Sequence, residues 1–186
     1  SQSQEKKNVP LKNTQKGFFA VDYLSVDMPT TDLGFNEIHM GLMGIHYNLA
    51  FDKFYTGLGM YGSVRGIRGG FFTLGVNAGF KNYLTDKVFI DTGIHFGGGG
   101  GAGAPDGGGA FILPHVNLGI QFKKFSFTTG YSYINFFDKG AIENQQLRLG
   151  LQIPINFSSA NIENSERNFS GRELSTSTWS KKPTRT

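Results

Sequence analysis

The sequence has no cysteine, no long apolar run and no helical periodicity in its central part, and each absence excludes a class of protein. Without cysteine there are no disulfides, thiolate metal sites or cysteine nucleophiles. No run of about 18 apolar residues occurs, which excludes a transmembrane helix. A transmembrane β-barrel remains possible, because its alternating strands average out in any hydropathy window. The 186 residues are enough for one domain.

Charge is also sparse, at 17% of residues with a net charge of +4. Residues 1–15 carry three Lys against one Glu, and residues 158–186 carry five Lys or Arg against three Glu. The basic excess therefore lies in two polar end segments, and residues 16–157 balance at ten positive and ten negative. Because no basic face appears in the central part, we expect no nucleic-acid partner. The start, Ser-Gln-Ser-Gln without Met, is interpreted as a mature form whose export signal has been removed.

Alternation of apolar and polar residues dominates the centre of the chain. In residues 146–157 every odd position is apolar and every even position is polar, Gly or Pro. A strand has a side-chain period of two, so this segment presents one apolar and one polar face. The pattern recurs in eight segments, at residues 17–28, 37–51, 54–65, 70–84, 87–99, 108–122, 124–137 and 144–157. So many strands with one apolar face are hard to explain unless that face meets lipid.

The connections between these segments indicate an all-β fold, an eight-stranded antiparallel up-and-down transmembrane β-barrel over residues 16–157. Tight turns alternate with longer loops, as in membrane barrels. Tyr23-Leu24 and Leu42-Met43 look like phase changes, which predicts bulges there. An even strand count predicts that residues 1–15 and 158–186 lie on the short-turn side, which in bacterial barrels is the periplasm. Aromatic residues beside the tight turns predict an interfacial girdle made of Phe51, Phe54, Tyr55, Phe80, Tyr83, Phe89, Phe122, Phe125 and Phe157.

The last strand carries the most specific motif. The last strand of outer-membrane barrels tends to have the pattern polar-x-Gly-x-x-apolar-x-apolar, often followed by an aromatic residue. Here the pattern is matched by Arg148, Gly150, Ile153 and Ile155, and Phe157 is the aromatic residue after it. On this motif and the strand pattern, residues 17–157 resemble the small eight-stranded bacterial outer-membrane β-barrels of the OmpA/OmpX type. The resemblance implies a Gram-negative outer membrane, contact with membrane lipid, and a last strand that is read by the insertion machinery. The sequence departs from the family pattern in two ways. In the family the aromatic is normally the final residue, whereas 29 residues follow Phe157 here. In addition, Pro154 removes one hydrogen-bond donor from the ladder of the last strand.

Polar residues on the inward face predict a filled lumen. An eight-stranded barrel is just wide enough to be filled by side chains, so we expect a polar plug and no channel. Buried charges such as Lys81, Asp91 and Arg148 are expected to pair inside. The predicted polar network of the lumen consists of His46, Asn77, Lys81, Asp91, His95, His115, Asn117, Arg148 and Gln152.

His95 and His115 are the candidate metal ligands. If the hairpin pivots on Pro105, the two side chains face each other with Cβ atoms about 5 Å apart. Two imidazoles at that distance could bind Zn²⁺ or respond to pH. A third ligand is missing, because Asp91 lies roughly 13 Å along the strand from His95. The alternative is a hydrogen-bonded lumen network, and no cofactor is expected.

Two segments are candidate contact surfaces for other proteins. Residues 97–109 hold nine Gly in thirteen positions, and no helix follows to support a dinucleotide site. This stretch is either a floppy loop or a Gly ribbon that lies flat against a neighbour's backbone. The polar C-terminal segment, with the one Trp of the chain, is either a solvated linker or a second docking element. The candidate partner-binding residues are Gly98, Gly100, Gly103, Pro105, Asp106, Gly107 and Trp179.

These features favour a non-enzymatic outer-membrane protein that is an accessory or structural subunit of a larger insertion, secretion or transport assembly. One alternative is a lipid-modifying barrel enzyme of the lipid A acyl hydrolase type, for which no spacing joins the available Ser25, Ser63, Ser132 and His39. Another is a stand-alone barrel that supports the envelope or binds small ligands.

Overall fold

In this computed structural model, residues 13–28, 39–66, 69–101, 104, 109–137 and 142–159 are described. They form eight strands: β1 (Asn13–Asp27), β2 (His39–Phe51), β3 (Phe54–Arg65), β4 (Phe72–Tyr83), β5 (Val88–Gly100), β6 (Phe111–Gln121), β7 (Ser126–Phe136) and β8 (Glu143–Ser159). In this part of the chain, no helix has the length and apolar character needed to span a membrane.

The strands close into one barrel in the order of the sequence, and consecutive strands from β1 to β8 pair antiparallel. This confirms the predicted all-β, eight-stranded up-and-down architecture. The strand bounds agree with the predicted ones to within a few residues, and the largest difference is at β1, which starts at Asn13.

Short and long connections lie at opposite ends of the barrel. Asp52 and Lys53 alone join β2 to β3, and Asp52 adopts a positive φ of 58° in this turn. Hairpin hydrogen bonds from the Leu84 N–H and the Phe122 N–H close the other two short turns, each at 2.8 Å. We call this the short-turn end, and the opposite rim the long-loop end.

The outward face of the barrel is an apolar belt. Side chains that stand exposed on it include Leu58, Leu74, Val76, Phe96, Val116, Leu118, Leu147 and Leu149. On β8 the alternation is as predicted, because Leu147, Leu149 and Leu151 point outward while Arg148 and Gln152 are buried in the lumen. A belt of this kind would be unstable in water and suits hydrocarbon.

One of the two predicted phase changes is absent. The β1–β2 ladder runs from Gly17 to Asp27 without a shift, so the prediction at Tyr23-Leu24 was wrong. The other lies one residue earlier than predicted, as a register shift between Gly41 and Leu42 of β2 against β3. It follows that β1 alternates regularly along this ladder.

The aromatic girdle at the short-turn end is largely as predicted. Exposed rings there belong to Phe51, Phe54, Phe80, Tyr83, Phe122 and Phe125. The prediction was wrong for Tyr55 and Phe89, which occupy inward positions of their strands and are buried in the lumen. The side chain of Phe157 lies outside the described residues.

At the long-loop end, buried apolar side chains fill the lumen. This apolar cap consists of Leu24, Val26, Met28, Met40, Leu42, Tyr61, Phe71, Phe111, Leu113, Ile134, Phe136 and Ile142. Its rings pack closely, with 5.0 Å between the centroids of Phe111 and Phe136 and 5.7 Å between those of Tyr61 and Phe111. The expected polar plug is therefore only part of the filling, since aliphatic and aromatic groups occupy the rest of the lumen.

Candidate functional site

Between the apolar cap and the short-turn end, the lumen holds hydrogen-bonded and charged side chains. All nine residues of the predicted network point into it, and eight of them are buried while Lys81 is half-buried. We call the following set the polar cluster: Asp22, His46, Asn48, Tyr55, Asn77, Lys81, Asp91, His95, His115, Asn117, Arg148 and Gln152.

Arg148 and Asp22 form the central ion pair of the polar cluster. The Arg148 Nε–H donates to Asp22 Oδ2 at 3.1 Å, and Nη2 donates to the same oxygen. Tyr61 OH donates to this oxygen at 3.2 Å, and His46 Nε2 lies 2.9 Å from it. A buried charge is tolerated when it is paired and hydrogen-bonded in this way. The pair joins the last strand of the barrel to the first.

Asp91 is the second buried carboxylate, and neutral groups hold it. Tyr55 OH donates to its Oδ1 at 2.7 Å, and Gln152 Nε2 donates to its Oδ2 at 2.8 Å. His115 Nε2 lies 3.8 Å from Oδ1. Lys81 lies opposite Asp91 in the β4–β5 ladder, but its Nζ donates to Gln152 Oε1 at 2.6 Å. Gln152 thus connects the ammonium to the carboxylate.

The two candidate metal ligands do not face each other. In the β5–β6 ladder His95 pairs with Leu113, and His115 pairs with Gly93. The predicted direct pairing was wrong, because the hairpin register differs by two residues from a pivot on Pro105. His95 Nδ1 instead donates to Asn77 Oδ1 at 2.7 Å. Among the described residues, no three His, Cys, Asp or Glu side chains are placed to hold a metal ion.

A small cavity of about 20 Å³ lies within the polar cluster, beside His46, His95 and Arg148. His95 Nε2 and Arg148 Nη1 are buried there without a hydrogen-bond partner in the described part of the chain. A polar space of this volume accommodates one water molecule. Its chemistry suits a hydrogen-bonded network and offers no nucleophile.

A larger cavity of about 170 Å³ opens at the short-turn end, and we call it the mouth cavity. Its wall includes Phe18, Lys53, Tyr55, Lys81, Ser126 and Gln152. The Lys81 Nζ lies 3.8 Å from the centroid of the Phe18 ring and 4.9 Å from that of Phe89. A cation therefore reaches a water-accessible recess in which aromatic faces are also present.

The motif of the last strand divides between the two faces of the barrel. Arg148 and Gly150 point inward, and a Cβ at Gly150 would lie 2.5 Å from Thr128 Oγ1. Ile153 is exposed on the belt, whereas Ile155 is half-buried. The role of this motif as an insertion signal stays a prediction.

Of the candidate partner-binding residues, Gly98 and Gly100 lie at the end of β5, at the long-loop end of the barrel. Gly103, Pro105, Asp106, Gly107 and Trp179 lie outside the described residues.

The serine and histidine residues that could serve a lipid-modifying hydrolase lie in separate parts of the barrel. Ser132 Oγ accepts from Gln146 Nε2 at 3.1 Å inside the lumen, and Ser63 Oγ donates to the Arg65 carbonyl at 3.4 Å. His39 is different, because its Nδ1 lies 2.6 Å from Asp27 Oδ1 on the outward side of the long-loop end. Ser25 occupies the same face of β1, one diagonal step from His39.

Four residues of the site are absent from the predicted nine-residue network: Asp22, Asn48, Tyr55 and Tyr61. Asp22 had a signal in the sequence, because Phe19, Val21 and Tyr23 take one face of a regular β1 and leave the carboxylate on the other. Tyr55 and Tyr61 had only a weak one, since a tyrosine suits both the interfacial girdle and a polar lumen.

The closed eight-stranded barrel, its apolar belt and its filled lumen together define a small integral membrane β-barrel of the outer-membrane type. Among solved structures, the chain is similar to the Yersinia pestis outer membrane protein Ail in a phospholipid bilayer nanodisc. The similarity has a TM-score of 0.44 and 12% sequence identity, and it covers 75% of this chain and 99% of Ail. The sequence matches no protein-family model and no curated protein.

Proposed function

We propose that this chain is a non-enzymatic accessory subunit of a larger assembly in a Gram-negative outer membrane. It docks through its Gly-rich hairpin and through residues 158–186, which extend into the periplasm. The filled lumen supports a role without conduction, because the apolar cap and the polar cluster occupy successive levels of the barrel interior. Because the lumen is filled, contacts with another protein would have to form on the outer face of the barrel or at its two rims.

The observation that best supports docking is a pair of outward glycines that the barrel itself does not require. A Cβ built on Gly62 or on Gly100 meets no atom within 4 Å. By contrast, a Cβ on the neighbouring Gly99 would collide with the carbonyl oxygen of Phe72. Gly99 is thus explained by packing within the sheet, whereas Gly62 and Gly100 are not.

Both of these glycines flank one protruding ring. Phe72 pairs with Gly62 across the β3–β4 ladder and with Gly100 across the β4–β5 ladder, and its side chain is 61% exposed. The result is a knob with a bare backbone on each side, in the membrane-facing surface near the long-loop end. We call Gly62, Phe72 and Gly100 the knob surface.

The occupant that suits the knob surface is a transmembrane segment of another outer-membrane protein. Lipid tails are as apolar as protein side chains, so the hydrophobic effect does not drive association within a bilayer. Close approach of backbones at small residues supplies the packing that does. A bare backbone beside an exposed ring offers such an approach, whereas lipid alone would be met equally well by larger apolar side chains.

Site-specific photocrosslinking in intact cells tests this surface. We expect a benzophenone side chain at position 72 to give one discrete protein adduct, with the same partner recovered in stoichiometric amount after purification in mild detergent. The matched control is Leu118, which is lipid-facing and 48% exposed on β6. Gly100→Leu should abolish the adduct at 72 while the barrel still folds. Equal adducts at 72 and 118, or none at 72, would rule out the knob surface.

A separate variant tests the C-terminal segment. Trp179→Ala should lower recovery of the same partner while leaving the barrel folded, because a tryptophan in a polar segment is suited to anchoring. Phe169→Ala, in the same segment, is the control for loss of an aromatic as such. Unchanged recovery with Trp179→Ala would restrict docking to the barrel.

The runner-up function is a lipid-modifying hydrolase, and the pair of His39 and Asp27 favours it. A carboxylate at 2.6 Å from Nδ1 orients an imidazole as the third group of a hydrolytic triad does. Ser25 lies on the same outward face, diagonal to His39 in the β1–β2 ladder. The comparison of lipid mass spectra between cells that contain and lack the protein tests this. If the lipid spectrum changes in cells that lack the protein, and the wild type restores it but the Ser25→Ala variant does not, the enzyme is favoured over the subunit. Identical spectra with and without the protein would exclude the enzyme.

A further inference from the structure

We propose that the mouth cavity is a binding site for a small carboxylate with a compact apolar body, and that Lys81 recognises the carboxylate. This inference does not depend on docking to another protein. It rests on the cavity, on the contacts of Lys81 and on the charge of the surrounding wall.

Lys81 reaches the cavity without a direct contact to a carboxylate of the described residues, and the charge of Asp91 acts on it from behind Gln152. Among the described residues its Nζ contacts the Gln152 amide oxygen and the rings of Phe18 and Phe89, all of which are neutral. The nearest candidate, Asp91, already accepts from Tyr55 through Oδ1 and from Gln152 through Oδ2. A lysine ammonium has three N–H donors, so donors remain for a ligand.

The charge of the wall also favours an anion. Lys81 and Lys53 both line the cavity, and the one carboxylate in the described lining, Asp52, belongs to the exposed β2–β3 turn. Ser126 and Gln152 contribute further polar groups. A carboxylate placed against Lys81 would form a charge-assisted hydrogen bond in a partly desolvated recess, where such bonds are stronger than in open water.

The size and the aromatic wall define the rest of the ligand. A cavity of about 170 Å³ is comparable to one of about 150 Å³ that holds benzene. Phe18 and Tyr55, whose ring centroids lie 5.1 Å apart in an edge-to-face arrangement, form an apolar wall beside the cation. The geometry therefore suits one carboxylate on a body of about six carbon atoms, such as benzoate.

Fluorine NMR of the full chain in phosphatidylcholine nanodiscs tests the site, with 4-fluorobenzoate as the probe. We expect saturable binding that unlabelled benzoate displaces and that empty nanodiscs lack. The neutral isostere 4-fluorobenzamide should bind at least tenfold more weakly, because it cannot pair with the ammonium. Equal affinity for the acid and the amide would overturn the assignment to Lys81.

Three variants localise the binding. Lys81→Met should weaken 4-fluorobenzoate at least tenfold, whereas Lys123→Met removes a cation from an exposed turn at the same end and should change the affinity less than twofold. Ala50→Phe keeps both cavity lysines and fills the recess, so it should abolish binding. The wild-type comparison of acid with amide holds even if Lys81→Met does not fold. Binding that survives Ala50→Phe would place the ligand elsewhere and refute the site.

Discussion

At the long-loop end, the lumen is filled by packed rings and aliphatic side chains, whereas towards the short-turn end it is filled by ion pairs and hydrogen bonds. The apolar cap needs only complementary shape, because none of its side chains except Tyr61 has a polar atom to satisfy. The polar cluster needs a partner for each buried group, and Asp22 and Asp91 obtain theirs from four different strands. The two regions should therefore respond to substitution in different ways.

The largest effect is expected from breaking the central ion pair. Arg148→Met leaves the buried Asp22 without a cation, so we expect the free energy of unfolding to fall by about 3–5 kcal/mol. Equilibrium urea unfolding in lipid vesicles measures this. The double variant Asp22→Asn with Arg148→Met should recover more than half of the loss. A double variant as unstable as the single one would show that packing, not charge, is decisive here.

In the apolar cap, loss of shape is the expected source of damage. Leu113→Ala should lower the free energy of unfolding by roughly 2–5 kcal/mol, because a cavity remains in a fully buried site. The matched control, Leu118→Ala, removes the same atoms from the lipid-facing side of the same strand, where lipid refills the space. We expect less than half the effect in the same urea assay. Equal losses would mean that the cap is not tightly packed.

A smaller effect is expected where one hydrogen bond of the polar cluster is lost. Tyr55→Phe removes the donor to Asp91 Oδ1 and should lower the free energy of unfolding by about 1.5–3 kcal/mol, as for hydrogen bonds to charged groups. Tyr131→Phe, on the exposed belt, is the control and should stay within about 0.5 kcal/mol of the wild type. If both variants behave alike, Asp91 does not depend on the tyrosine.

The smallest effect should have the opposite sign. The Thr73 hydroxyl is fully buried beside the cap and has no hydrogen-bond partner in the described part of the chain. Thr73→Val should therefore leave the free energy of unfolding unchanged or raise it by up to about 1 kcal/mol. Ser132→Ala, which removes the acceptor for Gln146, should lower it by about 0.5–1.5 kcal/mol. A destabilised Thr73→Val would mean that this hydroxyl has a partner.

The contrast between the two regions also explains which features were predictable from the sequence. On β8, apolar and polar residues alternate because one face forms part of the apolar belt and the other points into the polar cluster. Both the strand and its orientation could therefore be predicted from the sequence. On β1, Leu24 and Val26 point into the cap while the opposite face is also largely apolar. Where both faces are apolar the period of two is obscured, so a phase change was predicted at Tyr23-Leu24. That error hid the regular alternation that places Asp22 in the lumen.

The error at His95 and His115 has a different physical origin. A shift of one residue would turn every side chain of a strand to the other face, but a shift of two keeps the faces and changes only the partners. Alternation therefore predicted correctly that both imidazoles point inward, but it held no information on which residues they meet. The turn signal at Pro105-Asp106-Gly107 lies in a long Gly-rich stretch, where it does not determine the register of the flanking strands.

The ion pair of Asp22 and Arg148 also constrains the order in which the barrel assembles. The two residues are separated by 126 positions, so the contact forms only when the last strand to be synthesised reaches the first. Until then Asp22 on β1 and Arg148 on β8 each lack the opposite charge of the other, which the hydrocarbon region of a bilayer strongly disfavours. Closure and insertion are thereby coupled, and a chain that lacks its final strand could not complete the passage of β1 into the membrane.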